Sequence, residues 1–321
     1  VHNRKEMIMR YTDTLKKEYL DYAKSIADGI KNEAKTRKEI LWTDQRPIVD
    51  LKHMLETSSE LYGDKPIFLE KKDPKGEFEP LSFNELKDNV FALGSKLFSD
   101  GFKNIRCGVC GENSIGWATG YLASACGLGV VVPLDKELSA EDIKGQLCRA
   151  NVKIVFCSKK LEEKFIDAKN DDSCPLELII NWDKDESDDV SLSMNVLINE
   201  GKSLVASGYS DYILSPIDPY SLGILLFTSG TTGASKGVML AHSHICANLM
   251  CGPTVFECTE KDTFLSVLPI HHTYEGTCGF LMPLYRGGTV GFCQGLKYIQ
   301  KNFSEIRPTI QLNVPLVLEM F

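Results

Sequence analysis

The sequence predicts an α/β fold in which helices are layered on a β-sheet. One observation is that residues 48–168 alternate apolar strand segments, such as Val152–Cys157, with helical segments, such as Glu141–Ala150. A second is the apolar segment Leu222–Phe227, which is bounded by turn residues as a buried strand is. A third is Val238–Leu240, which follows shortly afterwards and also has the composition of a strand. We therefore expect one large layered α/β domain.

Residues 1–46 are predicted to form an N-terminal helical extension. Apolar side chains recur there at helical spacing, at Ile8, Tyr11, Leu15, Tyr19, Tyr22, Ile26 and Ile30. The other face of this helix and its continuation through Lys31–Glu39 are rich in lysine and glutamate. This pattern indicates a solvated surface, and contact with a membrane or a partner is the less favoured interpretation.

The next elements follow from local periodicity. Leu81–Leu97 is predicted to be a helix whose buried face carries Leu86, Val90, Leu93 and Leu97. Ser82 is a suitable N-cap for it, because a serine hydroxyl accepts a hydrogen bond from the first turn. Ile105–Cys110 has the composition of a strand.

An acidic, turn-rich stretch, Lys169–Asp189, interrupts the alternation and is predicted to be a surface loop region. We expect a boundary between two subdomains shortly after this stretch. Residues 47–200 are expected to form a first α/β subdomain, and residues 201–321 a second subdomain that contains the phosphate-binding loop described next.

The loop from Thr228 to Lys236 has the composition of an anion-binding site. Hydroxyl donors, glycines that permit close backbone approach and one lysine are combined behind a buried strand, at Thr228, Ser229, Gly230, Thr231, Thr232, Gly233, Lys236 and Gly237. Successive backbone N–H groups in such a loop can hold phosphate oxygens, and a lysine adds a mobile positive charge. A loop with fewer of these features would be interpreted as an ordinary turn.

Two common nucleotide-binding loops are disfavoured. In the loop GxxxxGK followed by Ser or Thr, glycine directly precedes the lysine and a helix follows. Here Ser235 precedes Lys236, Gly237 follows it, and the next residues are predicted to form a strand. No GxGxxG opens a helix after a strand either. A phosphate-hydrolysing enzyme of the first type is therefore the least favoured hypothesis.

The loop between two strands resembles the phosphate-binding signature of the acyl-adenylate-forming enzymes, which include acyl-CoA synthetases, luciferases and peptide-synthetase adenylation domains. The resemblance covers roughly Pro47–Phe321, and its motifs occur in the order typical of the family. Besides the loop, these are Leu81–Leu97, Gly111–Asp135 with Asn113, Ser114, Trp117 and Pro133, Leu268–Gly276 with His272 and Glu275, and the segment from Arg307.

This resemblance implies the large N-terminal domain of the adenylate-forming fold and an ATP-dependent acid–thiol ligase. It implies ATP, Mg²⁺ and coenzyme A as cofactor and co-substrates, with Lys236 and His272 as catalytic residues. The phosphate-loop residues already named, together with Glu275, would bind the cofactor, whereas His271 would be structural. The segment LPIHHTYEG favours a long-chain fatty acid. Another acid, a carrier-protein acceptor, or a non-catalytic nucleotide- or acyl-binding homologue stays open.

The chain departs from the family pattern in three ways. Ser235 stands where the family usually has proline, which frees the backbone of the loop. Gly116 stands where long-chain relatives often carry glutamate. The family's adenine loop, magnesium-binding glutamate, ribose aspartate and C-terminal domain would lie beyond Phe321. We therefore interpret the chain as an N-terminal fragment that has little or no synthetase activity alone.

Composition excludes several classes of protein. A net charge of −8 disfavours a nucleic-acid partner, because such partners reward basic surfaces. Eleven cysteines, an odd number without a secretory context, favour the reducing cytoplasm over a disulfide framework. Cys107 and Cys110 form one CxxC pair, for which core packing is favoured over zinc or redox use. We assign no metal-ligating residue, and no apolar stretch is long enough to span a bilayer.

Overall fold

A computed structural model describes three parts of the chain, residues 17–33, 45–228 and 235–318. Several predicted features lie outside the described residues: the helix positions Ile8, Tyr11 and Leu15, most of Lys31–Glu39, and the loop residues Ser229, Gly230, Thr231, Thr232 and Gly233.

The described residues form helices in the same order as the apolar patterns of the sequence. In chain order the α-helices are α1 (residues 17–33), α2 (Leu51–Tyr62), α3 (Phe83–Ser99), α4 (Ile115–Ala123), α5 (Ala140–Ala150), α6 (Glu163–Lys169), α7 (Met194–Ala206), α8 (His242–Cys251), α9 (Met282–Arg286), α10 (Ile299–Ile306) and α11 (Pro315–Leu318). Two π-helical segments accompany them, Ser124–Leu128 after α4 and Glu275–Leu281 before α9. Short 3₁₀ turns occur at Lys159–Leu161, Gly252–Thr254 and Leu296–Tyr298.

Strands alternate with these helices along most of the chain. They are β1 (Pro66–Glu70), β2 (Glu79–Ser82), β3 (Ile105–Cys110), β4 (Gly129–Pro133), β5 (Val152–Cys157), β6 (Leu178–Asn181), β7 (Leu192–Ser193), β8 (Leu222–Thr228), β9 (Lys236–Ala241), β10 (Thr263–Ser266) and β11 (Thr289–Phe292). The predicted strands in β3, β5, β8 and β9 are thus confirmed within a residue or two.

The larger sheet of the described residues has seven strands in the order β7-β6-β5-β3-β4-β8-β9. Its neighbouring strands are parallel, except that β8 and β9 form an antiparallel hairpin. Parallel neighbours need crossover connections, and most of these connections contain a helix. This is the predicted layered α/β fold.

The smaller sheet has four strands in the order β10-β11-β1-β2, and its β1–β2 pair is antiparallel. It joins strands from both ends of the chain, since β1 pairs with β11. Both sheets therefore combine strands from before and after residue 200. The division into subdomains at residues 200 and 201 follows no sheet boundary in the described residues, and it stays a prediction.

Helix α3 confirms the periodicity argument. Its four predicted core residues are fully buried, at Leu86, Val90, Leu93 and Leu97. The Ser82 hydroxyl accepts a hydrogen bond from the backbone N–H of Glu85 at 3.2 Å, and Glu85 Oε2 accepts one from the backbone N–H of Ser82 at 2.8 Å. This reciprocal capping box satisfies N–H groups that the helix itself cannot pair.

The segment Lys169–Asp189 is not simply a surface loop, which corrects the prediction. Its centre forms β6, which pairs with β5 and β7 inside the larger sheet. Ile179 and Ile180 are fully buried there. Acidic residues lie on both sides of this short apolar run, so the composition of the whole stretch concealed the strand.

Helix α1 confirms the helical prediction for residues 17–33, and Tyr19 and Ile26 of its predicted apolar face pack against the core. Ala23 and Ala27 are buried, whereas Tyr22 is 50% exposed. Small side chains allow the helix to approach the core closely, and this turns part of the aromatic stripe outwards. The Tyr19 ring meets the Tyr220 ring edge to face at a centroid distance of 5.5 Å.

Cys107 and Cys110 lie in β3 and are fully buried, as predicted from the packing interpretation. They occur in two different core clusters, because residues three apart on a strand point to opposite faces. Burial raises the pKa of each thiol to about 12. Separately, none of the helices that the structure describes has the length and apolarity needed to cross a membrane.

Candidate active site

The two ends of the predicted phosphate loop come together in the β8–β9 hairpin. Thr228 lies opposite Lys236 in the register of the two strands. The Thr228 hydroxyl is 3.5 Å from the backbone oxygen of Lys236, which is the outer limit for a hydrogen bond. Both side chains are exposed. The described residues therefore show where the loop begins and ends, at facing positions of one hairpin.

Arg149, in the last turn of α5, contacts Phe227 in β8 and Ser235, the residue just before β9. Its Nη1 donates to the backbone oxygen of Ser235 at 2.9 Å, and its Nη2 donates to the Ser235 hydroxyl oxygen at 2.5 Å. The guanidinium carbon lies 5.0 Å from the centre of the Phe227 ring. No local pattern in the sequence marks Arg149, which lies 86 residues before Ser235.

Lys236 and Arg149 bring positive charge to the end of the hairpin from which the loop departs. Both side chains are exposed, and neither has a carboxylate partner among residues 17–33, 45–228 and 235–318. Two cations without a carboxylate partner in the described residues create a local field that attracts anions, although the whole chain is acidic. The described flanks thus fit the phosphate-binding prediction.

A second group of polar residues surrounds Asn113, which follows β3. Its amide nitrogen donates to the Ser266 hydroxyl oxygen at 2.8 Å and to the backbone oxygen of Leu268 at 2.7 Å. Its amide oxygen accepts from the backbone N–H of Ile270 at 3.1 Å. One side chain therefore fixes the segment that leads from β10 to the two histidines.

The two histidines differ in their surroundings. His271 is half-buried, with Nε2 at 3.7 Å from Asp135 Oδ1, and burial lowers its pKa although Asp135 favours the protonated ring. His272 is exposed, and its Nδ1 lies 3.4 Å from the backbone nitrogen of Tyr274, which donates towards it. The Nδ1 atom is thus the ring nitrogen of His272 that is engaged, and Nε2 has no hydrogen bond among the described residues.

Glu275 is buried, with only 1% of its surface exposed, at the start of the π-helical segment before α9. Its Oε1 accepts from the Ser266 hydroxyl at 2.5 Å, while Oε2 has no hydrogen-bond partner among the described residues. Desolvation raises the pKa of Glu275 to about 7. The carboxyl group also fills the space over Gly279, where an added Cβ would lie 2.6 Å from Oε1.

The topology brings these groups to one edge of the larger sheet. β3 and β4 are parallel, so Asn113 and Asp135 both follow carboxyl ends, where they contact the histidine segment. β8 is the parallel neighbour of β4, so Thr228 ends at that edge too. Ligands of open α/β sheets bind outside such edges. No direct contact among the described residues joins Lys236 to His272 or Glu275.

The described residues do not supply a magnesium site. They contain no cluster of three or more His, Cys, Asp or Glu side chains that could hold a metal ion. Magnesium commonly binds through substrate phosphates and one or two carboxylates. Magnesium that accompanies ATP would be held in this way, largely by the phosphates.

Two of the three departures from the family pattern, at Ser235 and Gly116, can be described in the structure. Ser235 supplies the hydroxyl and the carbonyl oxygen that Arg149 contacts. Gly116 lies against Trp182, and an added Cβ would lie 2.3 Å from that ring. A glutamate at position 116 therefore does not fit beside Trp182 as it stands.

The chain is similar to known proteins in sequence. The family profile described as AMP-binding enzyme matches residues 55–321. The peroxisomal long chain acyl-CoA synthetase 7 of Arabidopsis thaliana is 29% identical over 244 residues, which cover 75% of this chain and 35% of that protein. Long-chain-fatty-acid–CoA ligase 5 of Rattus norvegicus is 26% identical over 261 residues, covering 76% and 38%. The chain thus spans well under half the length of these relatives.

The fold also matches solved structures. The crystal structure of a long-chain-fatty-acid-CoA ligase from Archaeoglobus fulgidus superimposes with a TM-score of 0.73 at 18% identity. The match covers 87% of this chain and 53% of the ligase. At this identity the likeness establishes the fold alone.

Proposed function

The chain belongs to the family of AMP-binding enzymes, and from this premise we propose that it supplies the phosphate-binding part of an ATP-dependent acid–thiol ligase. The observation that carries the proposal is the hairpin whose facing ends are Thr228 and Lys236. It joins a cationic site to a loop with the composition of a phosphate cradle, at the sheet edge where the histidine segment is also fixed.

The proposed reaction has two steps. A carboxylate oxygen of the acid attacks the α-phosphorus of ATP, and the bond from that phosphorus to the bridging oxygen of the β-phosphate breaks. Pyrophosphate leaves with the electron pair, and an acyl-adenylate remains. The thiol of coenzyme A then attacks the acyl carbon, loses its proton and displaces AMP, which yields the thioester.

Lys236 would stabilise the charge that builds on pyrophosphate as it leaves. Its ammonium group is exposed and has no carboxylate partner in the described part of the chain, so binding phosphate breaks no existing ion pair. Electrostatic stabilisation of this kind is often the largest catalytic contribution. The loop residues Thr228, Ser229, Gly230, Thr231, Thr232 and Gly233 would hold the same phosphates through N–H and hydroxyl donors.

His272 and Glu275 would act at the other side of the site. The free Nε2 of His272 can donate a hydrogen bond to the acid or to the adenylate and can limit access to the thiol path. Glu275 would act as a buried support for the segment that carries the two histidines. Its bond to Ser266 ties the turn that carries His272 to β10, so Glu275 would support cofactor binding by holding that segment in place.

The names of the relatives support a long-chain fatty acid as the acid and coenzyme A as the thiol. A different acid, or the pantetheine of a carrier protein, would use the same phosphate site. The odd number of cysteines, eleven, supports a reducing cytoplasm as the compartment. Lysines on α1 leave peripheral membrane contact open.

The test is thioester formation by the full-length protein with ATP, magnesium and a panel of acids from acetate to long-chain fatty acids. Each acid is offered with coenzyme A and, separately, with a phosphopantetheinylated carrier protein. We expect AMP and acyl-CoA in equal amounts, with a maximum among long-chain acids. A folded protein that binds ATP in calorimetry but forms no thioester with any acid would favour the non-catalytic binding homologue.

A further inference from the structure

We propose that Arg149 is a positioning residue for the loop end of the β8–β9 hairpin: it holds Ser235, the residue just before β9, against Phe227 near the end of β8. The contact geometry stands without any assumption about the reaction. Its consequence for ATP rests on the proposed function. No role for the helix preceding β5 follows from the phosphate-loop motif itself, so Arg149 is an addition to that site.

The contacts form a bridge across the hairpin. Two N–H groups of one guanidinium reach Ser235, one to its carbonyl oxygen at 2.9 Å and one to its hydroxyl oxygen at 2.5 Å. The same guanidinium covers the Phe227 ring at 5.0 Å. A planar group that stacks and donates twice is fixed in direction as well as in distance, which a lysine ammonium cannot reproduce.

The register shows why this bridge controls the loop. Phe227 faces Gly237, and the next facing pair is Thr228 with Lys236. Arg149 therefore contacts Phe227, the residue before Thr228, and Ser235, the residue before Lys236. The loop departs from the facing pair Thr228 and Lys236. Fixing Ser235 in this way sets the direction in which Lys236, the next residue, presents its ammonium group.

Arg149 itself projects from a fixed base. The neighbouring Ala150 carbonyl accepts a hydrogen bond from Arg106 Nη1 at 2.7 Å, so β3 secures the end of α5. Asn151 ends the helix in the left-handed conformation at φ 52°, and its N–H bonds back to the Cys148 carbonyl at 3.1 Å. The end of α5 is thus tied to the larger sheet on one side, and Arg149 extends that attachment to the hairpin.

Ser235 gives the bridge its second hydrogen bond. A proline at this position would keep the carbonyl acceptor, but it would lack the hydroxyl that Arg149 Nη2 contacts. Proline stiffens a loop covalently by fixing φ, whereas serine leaves φ free. The Arg149–Ser235 contact replaces that internal stiffness at position 235 with a tertiary contact.

An alternative is that Arg149 acts only through its charge, as a direct ligand for phosphate. Lysine at position 149 separates the two roles, because it keeps the positive charge and loses the fork. The bridge predicts that Arg149→Lys behaves like Arg149→Ala, while a charge-only role predicts that Arg149→Lys behaves like the wild type.

The experiment uses the full-length protein and two readouts. Hydrogen–deuterium exchange of the peptide spanning residues 225–240 reports the rigidity of the hairpin, and the KM for ATP in thioester formation reports its use. Arg149→Ala and Arg149→Lys should each raise amide exchange near Ser235 about tenfold and the KM for ATP about fivefold. Lys144→Ala is the matched control, since it removes a cation from the same helix whose partner is Asp171 rather than the hairpin.

A double-mutant cycle with Ser235→Ala tests the pair itself. The exchange effects of Arg149→Ala and Ser235→Ala should be clearly less than additive, because both remove the same contact. Unchanged exchange in Arg149→Ala, wild-type behaviour of Arg149→Lys, or additive effects in the cycle would each overturn the proposal. If the wild-type protein forms no thioester, the exchange measurements still decide the bridge, and the proposed function fails alone.

Discussion

At the scale of single residues, Lys236 combines an exposed ammonium group with a position at the end of the phosphate loop. We expect Lys236→Ala to lower adenylation by about a hundredfold, as the loss of one charge-stabilising group typically does. The free energy of unfolding should change by less than about 0.5 kcal/mol, because the exposed side chain has no packing to lose. Adenylation kinetics and chemical denaturation measure the two effects.

The matched control for this prediction is Lys75→Ala, which removes an exposed lysine from the turn between β1 and β2. It should alter neither quantity. A Lys236→Ala protein that keeps wild-type adenylation would remove Lys236 from the mechanism. A protein that loses stability and activity together would make its role structural.

Glu275 predicts a pH dependence of stability. Its pKa in the folded chain is raised from 4.5 to about 7 by burial, so between these values the folded state binds more protons than the unfolded state. The stability that this group contributes is therefore complete below about pH 4.5 and is lost as the pH rises through about 7. We expect the free energy of unfolding to fall by about 2 to 3 kcal/mol relative to Glu275→Gln between about pH 5 and about pH 8.

Chemical denaturation of the two proteins at both pH values tests this expectation. Burial also raises the pKa of Glu70 to about 7, so the comparison with Glu275→Gln, rather than the wild-type curve alone, isolates Glu275. A difference between the two proteins that is the same at both pH values would show that Glu275 is ionised in the folded chain.

Sequence patterns identified the residues that belong to continuous motifs and missed those that act across the fold. Lys236, His272 and Glu275 could be predicted as site residues because each lies within a short recognisable segment. Arg149 contacts Ser235 from 86 residues away, and Asp135 contacts His271 from another strand end. Only the folded topology brings such partners together.

At the scale of secondary-structure elements, the contact between α3 and α7 depends on Gly201. A Cβ added to Gly201 would lie 1.9 Å from the backbone oxygen of Ala92. The backbones of the two helices are therefore so close at this point that a side chain does not fit between them. We expect Gly201→Ala to lower the free energy of unfolding by about 3 kcal/mol, since overpacking forces the helices apart. Chemical denaturation measures the change.

Gly145→Ala provides the opposite case in α5, where an added Cβ meets nothing within 4 Å. It should raise the free energy of unfolding by about 0.5 to 1 kcal/mol, because alanine restricts the unfolded chain and favours the helix. Equal effects of the two substitutions would contradict the close α3–α7 packing.

Elements whose determinants are local were predictable. Helix α3 was placed from its apolar spacing and Ser82 cap, and both are present in the structure. Strand β6 was missed because its short apolar run is surrounded by acidic residues and becomes buried only when β5 and β7 pair with it. In α1 the burial of Ala23 and Ala27 was missed, since alanines give no strong apolar signal.

At the scale of the whole molecule, the alternation of strands and helices was sufficient to predict the layered α/β class. It did not predict the strand order β7-β6-β5-β3-β4-β8-β9, nor that both sheets join strands from before and after residue 200. Strand order is decided by which apolar faces pack together over long separations in sequence. The same long-range packing places the hairpin, Asn113 and the histidine segment in relation to one sheet edge.

The central claim is that this fold activates a carboxylic acid as its adenylate. The most direct test is the acid-dependent exchange of labelled pyrophosphate into ATP by the full-length protein, because this exchange requires reversible formation of the acyl-adenylate and no thiol. We predict exchange that depends on the acid, is greatest with long-chain fatty acids and is about a hundredfold slower in Lys236→Ala. A folded protein that binds ATP and shows no exchange with any acid from acetate to long-chain fatty acids would contradict the account.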